Sequence, residues 1–306
     1  MRHRLLTTLA PIALTALPLA AQGHQHSPAT RPADLVEFVD EAQVFAPGVV
    51  STGYSEIRLT LSPDGRTALW FSRDRPEGAG GYDIWMSRRT ADGWSPPQAV
   101  SFNSAGRDFD PAFSADGRWV YFCSDRPGGS GGDDIYRVTF GADGFGTPVN
   151  LGPKVNSAGN EFAPMLSPDG HTLLFSSDRA GGAGGHDLYT ARQSGESFAE
   201  ALPLSGAVNT AAHEFDATFL RDGAIVVFAR AMDFRTDRVD LFQSSPEQGR
   251  YSAGALLPSS VNNLLDTYGP MLDWSDQDRL IFSGRRGGAS SMDAYLIRYR
   301  LRRTGG

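Results

Sequence analysis

The sequence predicts an all-β fold, a five-bladed β-propeller built from four-stranded antiparallel blades. Two series of acidic residues recur five times each. They are the turn acids Asp64, Asp116, Asp169, Asp222 and Asp276, and the closing acids Asp83, Asp134, Asp187, Asp240 and Asp293. Both series step by 51 to 54 residues, a period typical of radial arrays of small sheets. Short apolar runs fill each period, which favours strands over helices.

One repeat shows how each element is predicted. Glu161–Ser167 is a short apolar strand, and Pro168-Asp-Gly170 forms a tight turn because proline presets φ and glycine accepts the turn conformation at its end. His171–Ser177 is the second strand, and a glycine-rich loop leads to the third strand, Asp187–Arg192. A turn at Gly195 then leads into an outer strand that ends near Leu204. The five repeats lie near residues 52–101, 103–152, 156–204, 209–257 and 262–300. We expect each closing acid to accept hydrogen bonds from amides of the loop before it.

The last repeat lacks an outer strand of its own. Only residues 301–306, a short tail, come after its third strand. Residues 37–46 have the apolar pattern of the missing strand and precede the first inner strand by a similar distance. We therefore predict that residues 37–46 pair with residues 293–300, which closes one propeller domain over residues 37–300 and removes two exposed sheet edges.

The N-terminal segment predicts export. Arg2 and Arg4 precede an apolar run of fifteen residues, Leu5–Leu19, and Leu19-Ala-Ala21 offers small residues for cleavage. This pattern is typical of a signal peptide over residues 1–21, with a polar lead-in over residues 22–36 after it. The expected location is the periplasm or the extracellular medium, and no later segment has the pattern of a membrane span.

Composition excludes several function classes. The chain has 28 Lys and Arg residues against 35 Asp and Glu residues, a net charge of −7, which argues against a nucleic-acid partner. Its one cysteine, Cys123, cannot form an internal disulfide. The zinc motif His-Glu-x-x-His does not occur. The letters Gly-x-Ser-x-Gly occur at Gly128-Gly-Ser-Gly-Gly132, but this stretch opens a strand rather than a helix, so it is a turn and not a serine-hydrolase elbow. We expect no metal and no cofactor.

The repeat resembles that of the TolB-type β-propellers, a WD-like repeat family. The resemblance rests on Ser62-Pro-Asp-Gly65, Ser72-Arg-Asp-Arg-Pro76, Phe109-Asp-Pro-Ala-Phe-Ser-Ala-Asp-Gly117, Phe122-Cys-Ser-Asp-Arg-Pro-Gly-Gly129 and Asp134-Ile-Tyr136. It covers about residues 40–300 and implies a stand-alone propeller that binds partners in the cell envelope rather than performing chemistry. A fold is nevertheless a weak basis for a function.

Charged residues repeat in register around one face of the predicted ring. The arginines are Arg75, Arg126, Arg179 and Arg286, and the carboxylates of the inner strands are Glu56, Asp108, Glu161 and Glu214. We expect carboxylates at the mouth of the central channel with arginines around them. Such a ring either ties the blades together or forms a binding surface.

Departures from the repeat are more informative, because maintenance of the fold does not require them. One inner-strand position holds Arg58, Asp110, Ala163, Asp216 and Gly269 in the five repeats, and another holds Ser55, Arg107, Asn160, His213 and Asp266. Asp110, His213 and Asp216 break the pattern near the expected channel, and His213-Glu214-Phe-Asp216 is the densest ionisable cluster on this rim. We count Asp110, His213, Glu214 and Asp216 with the arginines and Asp108 as candidate ligand-binding residues.

Two functions are consistent with these patterns. The first is a binding or scaffold module in which the arginine face captures an envelope protein segment or an anionic glycan. It predicts that reversal of Arg126 and Arg179 to Glu abolishes capture without unfolding the protein. The second is a glycoside hydrolase or lyase that uses two of the carboxylates Asp110, Glu161, Glu214 and Asp216, since sugar hydrolysis requires a pair of carboxyl groups.

Overall fold

The computed structural model describes residues 35–73, 75–262, 265–285 and 291–302. These residues contain strands and turns and no helix, and the strands form five antiparallel blades around a central axis, as the repeat predicts. The predicted signal peptide lies outside the described residues, as do Arg286 and most of the predicted lead-in and tail. Among the described residues there is no helix with the length and hydropathy of a membrane span.

Each blade has three long strands. The inner strands are β3 (Ile57–Leu61), β8 (Asp108–Phe113), β13 (Glu161–Leu166), β18 (His213–Phe219) and β24 (Thr267–Leu272). The second strands are β4 (Thr67–Ser72), β9 (Trp119–Ser124), β14 (Thr172–Ser177), β19 (Val226–Ala231) and β25 (Arg279–Gly284). The third strands are β5 (Asp83–Thr90), β10 (Asp134–Gly141), β15 (Asp187–Ser194), β20 (Asp240–Ser244) and β26 (Asp293–Leu301).

The outer edge of each blade is made of short segments rather than one continuous strand. In blades one to four these segments are β6 (Gly93–Trp94), β7 (Gln98–Ala99), β11 (Gly144–Phe145), β12 (Val149–Asn150), β16 (Ser197–Phe198), β17 (Leu202–Pro203) and β23 (Ala255–Leu256). In blade four, β21 (Pro246–Glu247) and β22 (Arg250–Tyr251) form a separate two-stranded hairpin. Short edge segments offer little template for pairing with another chain, which protects the propeller from edge-to-edge association.

Turn acids, and the closing acids of the first three blades, hold the loops, as the sequence predicts. The closing acid of blade four, Asp240, is instead paired with the Arg238 guanidinium. In the third blade the Asp169 carboxylate accepts hydrogen bonds from the Ser167 hydroxyl and from the backbone of His171, and Gly170 takes a φ of +74°. The closing acid Asp187 accepts a hydrogen bond from the backbone N–H of Ala183, within the glycine-rich loop. Asp83 and Asp134 do the same in the first two blades.

The ring closes through the N-terminal segment. Strand β1 (Val36–Phe38) pairs antiparallel with the last third strand, with Val36 opposite Leu301 and Phe38 opposite Tyr299. Strand β2 (Gln43–Val44) pairs with the same strand further along, with Val44 opposite Tyr295. The predicted pairing is confirmed, although it is divided between two short segments and extends one residue further on the C-terminal strand.

Removal of this closing segment is expected to destabilise the protein and promote its association. A chain that begins at residue 47 leaves the Tyr295–Leu301 edge unpaired and uncovers Tyr299, which is 1 % exposed; an exposed strand edge is a template for aggregation. Size-exclusion chromatography and thermal unfolding would measure this, with a chain that begins at residue 35 as the control. Equal stability and monodispersity of the two chains would contradict the closing role.

Candidate functional site

A left-handed residue recurs in every inner strand. Arg58, Asp110, Ala163, Asp216 and Gly269 have φ between +49° and +64°, and the pairing register shifts at the same place in all five blades. These are β-bulges, which re-aim side chains where a strand approaches a site. The bulge breaks the usual alternation of faces, so that two consecutive residues of each inner strand lie next to the axis.

Arg58 crosses this axis and contacts the other four blades. Its Nε lies 3.8 Å from Asp110 Oδ1 of blade two, and its Nη1 lies 3.8 Å from Asp216 Oδ1 of blade four. Its Nη2 donates to the carbonyl oxygen of Pro164 in blade three, at 3.2 Å. In blade five, a Cβ at residue 269 would lie 3.0 Å from Arg58 Cγ, and glycine occupies that position. The buried guanidinium therefore holds the blades together and closes the central channel.

The two carboxylates beside Arg58 are also held by the neighbouring inner strands. The backbone N–H of Ala163 donates to Asp110 Oδ2, and that of Gly269 donates to Asp216 Oδ2, both at 3.1 Å. Burial, and next to it the negative charge of Asp216, raises the pKa of Asp110 well above its usual value. Burial also raises the pKa of Asp216, against the lowering effect of Arg58. The floor of the channel is therefore a desolvated acidic pair that shares one arginine.

Above this floor lies an aromatic pocket of about 250 Å³, which we call the axial pocket. Asp110 and Asp216 form its base. Its other lining residues are Ile57, Phe71, Arg73, Tyr82, Phe109, Phe162, His186, Phe215, Phe234, Val239 and Tyr268. The inner strands supply Ile57, Phe109, Phe162, Phe215 and Tyr268 from the position just before each bulge. A concave, largely apolar pocket with a few convergent polar groups is the usual form of a ligand site.

A histidine pair joins blades three and four at the rim of the axial pocket. His186 Nδ1 and His213 Nδ1 lie 2.8 Å apart, within hydrogen-bond distance. Burial lowers the pKa of His186 to about 4, so its ring is neutral near pH 7. Phe234 packs against both imidazole rings, with centroid separations of 5.7 and 5.1 Å. The predicted candidate His213 therefore lies next to the pocket, in contact with His186 and Phe234, which line it.

The in-register carboxylates form clamps inside the blades, with the in-register arginines in blades one to three and with Arg230, two residues before that register, in blade four. Arg126 pairs with Asp108, Arg179 pairs with Glu161 at 3.2 Å, and Arg230 pairs with Glu214 at 2.6 Å. A weaker pair joins Arg75 to Glu56 at 3.5 Å. The carboxylates of all four clamps are completely buried, and they also accept hydrogen bonds from the turns that precede the inner strands, at Thr52, Ser104, Ser157 and Thr210.

Each clamp arginine is also enclosed by aromatic rings. The Arg179 guanidinium lies 5.4 Å from the ring centroid of Phe175 and 4.6 Å from that of Tyr189, and it is hydrogen-bonded to the carbonyl oxygen of Val155. Arg126 has the same arrangement with Phe122 and Tyr136. Cation–π contacts and buried ion pairs of this kind bind the arginines into the fold.

The structure thus divides the candidate residues predicted from the sequence into two groups. Asp110, Asp216 and His213 lie at the axial pocket or its rim. Arg75, Arg126, Arg179, Asp108, Glu161 and Glu214 lie in the clamps and not in the lining of the pocket. Among the described residues, no group of three or more His, Cys, Asp and Glu side chains is arranged to hold a metal ion.

Sequence reasoning missed Arg58 and the aromatic wall. Both had a signal in the sequence, because Arg58 departs from its repeat position and Phe109, Phe162 and Phe215 recur in register. These residues lie next to the axis because of the bulge, and no glycine or turn motif at Arg58 indicates a bulge in the sequence. Phe234 lies in a part of blade four that departs from the repeat, and it is 42 % exposed at the rim.

Comparisons with known proteins bear on the fold. No protein-family model matches the chain, and no curated protein matches it. Among solved structures, the chain is similar to a putative TolB from Agrobacterium tumefaciens, with TM-score 0.52, 16 % identity and coverage of 81 % of this chain and 78 % of that one. It is also similar to TolB from Acinetobacter baumannii, with TM-score 0.50, 17 % identity and 80 % of this chain covered; the match spans 52 %, about half, of that protein.

Glycoside hydrolases share the fold as well. The chain is similar to an endo-arabinase from Bacteroides thetaiotaomicron VPI-5482, with TM-score 0.53, 12 % identity and coverage of 83 % of this chain and 98 % of that one. Identities this low show that the architecture is shared, but they do not show that an activity is shared. The chain is therefore a five-bladed, TolB-like β-propeller in fold, and its function has to be argued from its own site.

Proposed function

We propose that this propeller is a binding module for a protein segment of the cell envelope, and that the axial pocket receives an anchoring side chain of that segment. The observation that carries the proposal is the aromatic wall of the pocket above a floor closed by Arg58. At about 250 Å³ the pocket is smaller than the roughly 300–1,000 Å³ usual for drug-sized ligands, which suits a single side chain. A buried anchor in a pocket is the common core of a protein interface.

The exposed rim supports a peptide partner over an anionic glycan. Met232 and Phe234 are 66 % and 42 % exposed, in the loop between the second and third strands of blade four. Phe234 also lines the pocket, so the apolar surface continues from the pocket into this exposed loop, as an interface with a peptide requires. Capture of an anionic glycan by the predicted arginine face would require Arg126 and Arg179, but their side-chain exposures are only 16 % and 15 %.

Glycoside hydrolysis is the second candidate, because Asp110 and Asp216 meet at the base of a pocket in a fold that endo-arabinases share. Their environment favours binding. An inverting pair needs a gap of roughly 6.5–9.5 Å that holds the attacking water, and here the Arg58 guanidinium lies between the two carboxylates. The side chains of Asp110 and Asp216 are only 4 % and 8 % exposed. Glu161 and Glu214 are engaged in clamps.

Export of the module is part of the proposal. The predicted signal peptide over residues 1–21 supports a location in the periplasm or outside the cell.

Selection from a displayed library of random linear peptides tests the binding function. We expect wild-type protein to enrich a family of related sequences, and the Phe234→Ala variant to lose most of this enrichment because one wall of the pocket is gone. The control Leu202→Ala removes an apolar side chain that is 64 % exposed on the outer edge of blade three, and it should retain the enrichment. Equal enrichment by Phe234→Ala, or none by wild type, would contradict the proposal. Turnover of arabino- or xylo-oligosaccharides, lost in Asp216→Asn, would favour the hydrolase instead.

A further inference from the structure

The walls of the axial pocket present the faces and edges of aromatic rings. Tyr82 and Phe109 lie edge to face, with centroids 5.7 Å apart, and Phe71 contacts both. On the opposite side, Phe162 contacts the His186 ring at 5.0 Å, and Phe215 contacts Phe234 at 6.0 Å. The face of an aromatic ring carries partial negative charge and attracts cations.

The floor of the pocket has more acid than base. Asp110 and Asp216 share the single guanidinium of Arg58, whose nitrogens lie 3.8 Å from a carboxylate oxygen of each. Arg58 is completely buried and does not line the pocket, whereas both carboxylates do. A ligand that reaches the base of the pocket therefore meets carboxylate oxygens first.

Other charged groups near the pocket are paired, exposed to solvent, or both. Arg107 pairs with Asp133 at 2.8 Å, and Arg285 pairs with Asp266. Asp178, near His186, is partly exposed. Arg73 lines the rim of the pocket, where it is exposed and its charge is screened by solvent. These groups leave Asp110 and Asp216 as the desolvated acids of the pocket, and a bound cation favours their charged form, which burial disfavours.

We propose that the axial pocket recognises a compact organic cation, a guanidinium or alkylammonium group, held between the aromatic walls and the Asp110–Asp216 floor. The inference rests on the proposed function and names the anchor, the side chain of an arginine or a lysine in the bound segment. Aromatic cages of this kind bind quaternary and methylated ammonium groups. The same chemistry could come from a free small amine, and the test separates the two sources.

Titration calorimetry with three matched probes tests the proposal: acetyl-arginine amide, its neutral isostere acetyl-citrulline amide, and tetramethylammonium. We expect the arginine probe to bind at least about tenfold more tightly than the citrulline probe, since only the arginine carries the positive charge that the aromatic faces and the carboxylates attract. Tighter binding of tetramethylammonium than of the arginine probe would support the cation site and assign it to a free amine.

Two variants with opposite expected effects sharpen the test. Asp216→Asn keeps an oxygen for the Gly269 N–H and removes one floor charge, so binding of the arginine probe should weaken at least about tenfold. Arg73→Gln removes a positive charge from the lining of the pocket that repels a cationic ligand, so the arginine probe should bind more tightly than in wild type. Thermal unfolding confirms that both variants are folded.

Three results would overturn the proposal: citrulline binding as tightly as arginine, a weaker arginine complex in Arg73→Gln, or unchanged binding in folded Asp216→Asn. These outcomes are separable from failure of the binding function. If displayed peptides without basic residues require Phe234, the axial pocket still binds a protein segment and only the cation assignment fails.

Discussion

The double variant Arg126→Glu/Arg179→Glu is expected to unfold. Each substitution places a second carboxylate beside a completely buried one, Asp108 or Glu161, in the position of the guanidinium that compensates it. Breaking one buried ion pair costs about 3–5 kcal/mol, and two breaks approach the whole stability of a typical domain, about 5–15 kcal/mol. The structure therefore revises the expectation from the sequence alone that this variant stays folded while it loses its partner.

The control for this variant reverses the same number of charges in the same two blades. Arg118 and Arg192 are exposed, and reversal of exposed charges changes stability by less than about 1 kcal/mol per residue. Circular dichroism and chemical denaturation would compare Arg118→Glu/Arg192→Glu with the clamp variant. A clamp variant as stable as this control would show that the arginines do not hold the blades.

Replacement of Arg58 by methionine is expected to lower the free energy of unfolding by about 3–5 kcal/mol at neutral pH. The reason is that Asp110 and Asp216 remain buried without their shared counter-ion. Methionine fills much of the same volume, so the loss reports on charge more than on packing. The exposed Arg250, replaced by methionine, is the control and should change stability little.

The pH dependence of the Arg58→Met loss identifies its cause. The pKa values of Asp110 and Asp216 are already raised by burial, and the nearby positive charge of Arg58 limits that rise. A carboxyl group whose pKa is raised on folding stabilises the protein at low pH, and this stability is lost as the pH rises through the folded pKa. We therefore expect a smaller loss at about pH 5 than at about pH 8. A loss that is equal at both pH values, or under about 1 kcal/mol, would mean that Arg58 does not compensate the two acids.

The fold was predictable because every repeat carries the same signals. The acids of the turns and of the third strands mark the same two places in each blade, and Asp169 and Asp187 form the local hydrogen bonds that such positions require. Closure was also predictable, since one outer strand was missing at the end and an unassigned apolar segment preceded the first blade. The division of that strand into Val36–Phe38 and Gln43–Val44 depends on tertiary pairing and carries no sequence signal.

The site was only partly predictable, for a physical reason. Departure from the repeat located Asp110, His213 and Asp216, because fold maintenance alone does not explain a change at one blade. The aromatic wall was missed because every blade has an apolar or aromatic residue at this position, such as Phe109 and Phe162, and residues of that pattern are expected to lie in the hydrophobic core. In a regular strand, consecutive residues such as Ile57 and Arg58 point to opposite faces of the sheet. The left-handed backbone conformation of Arg58 instead brings both residues to the axis.

Hydrogen–deuterium exchange of the protein, with and without a peptide selected by display, tests most directly whether the axial pocket is the binding site. Binding there should slow the exchange of backbone amides in the loops that carry Tyr82, His186 and Phe234, which line one face around the axis. The turns at Asp169 and Asp222, which line a separate pocket between blades three and four, should exchange as before. Protection confined to those turns or to the outer strands, with no change around the axis, would contradict binding at the axial pocket.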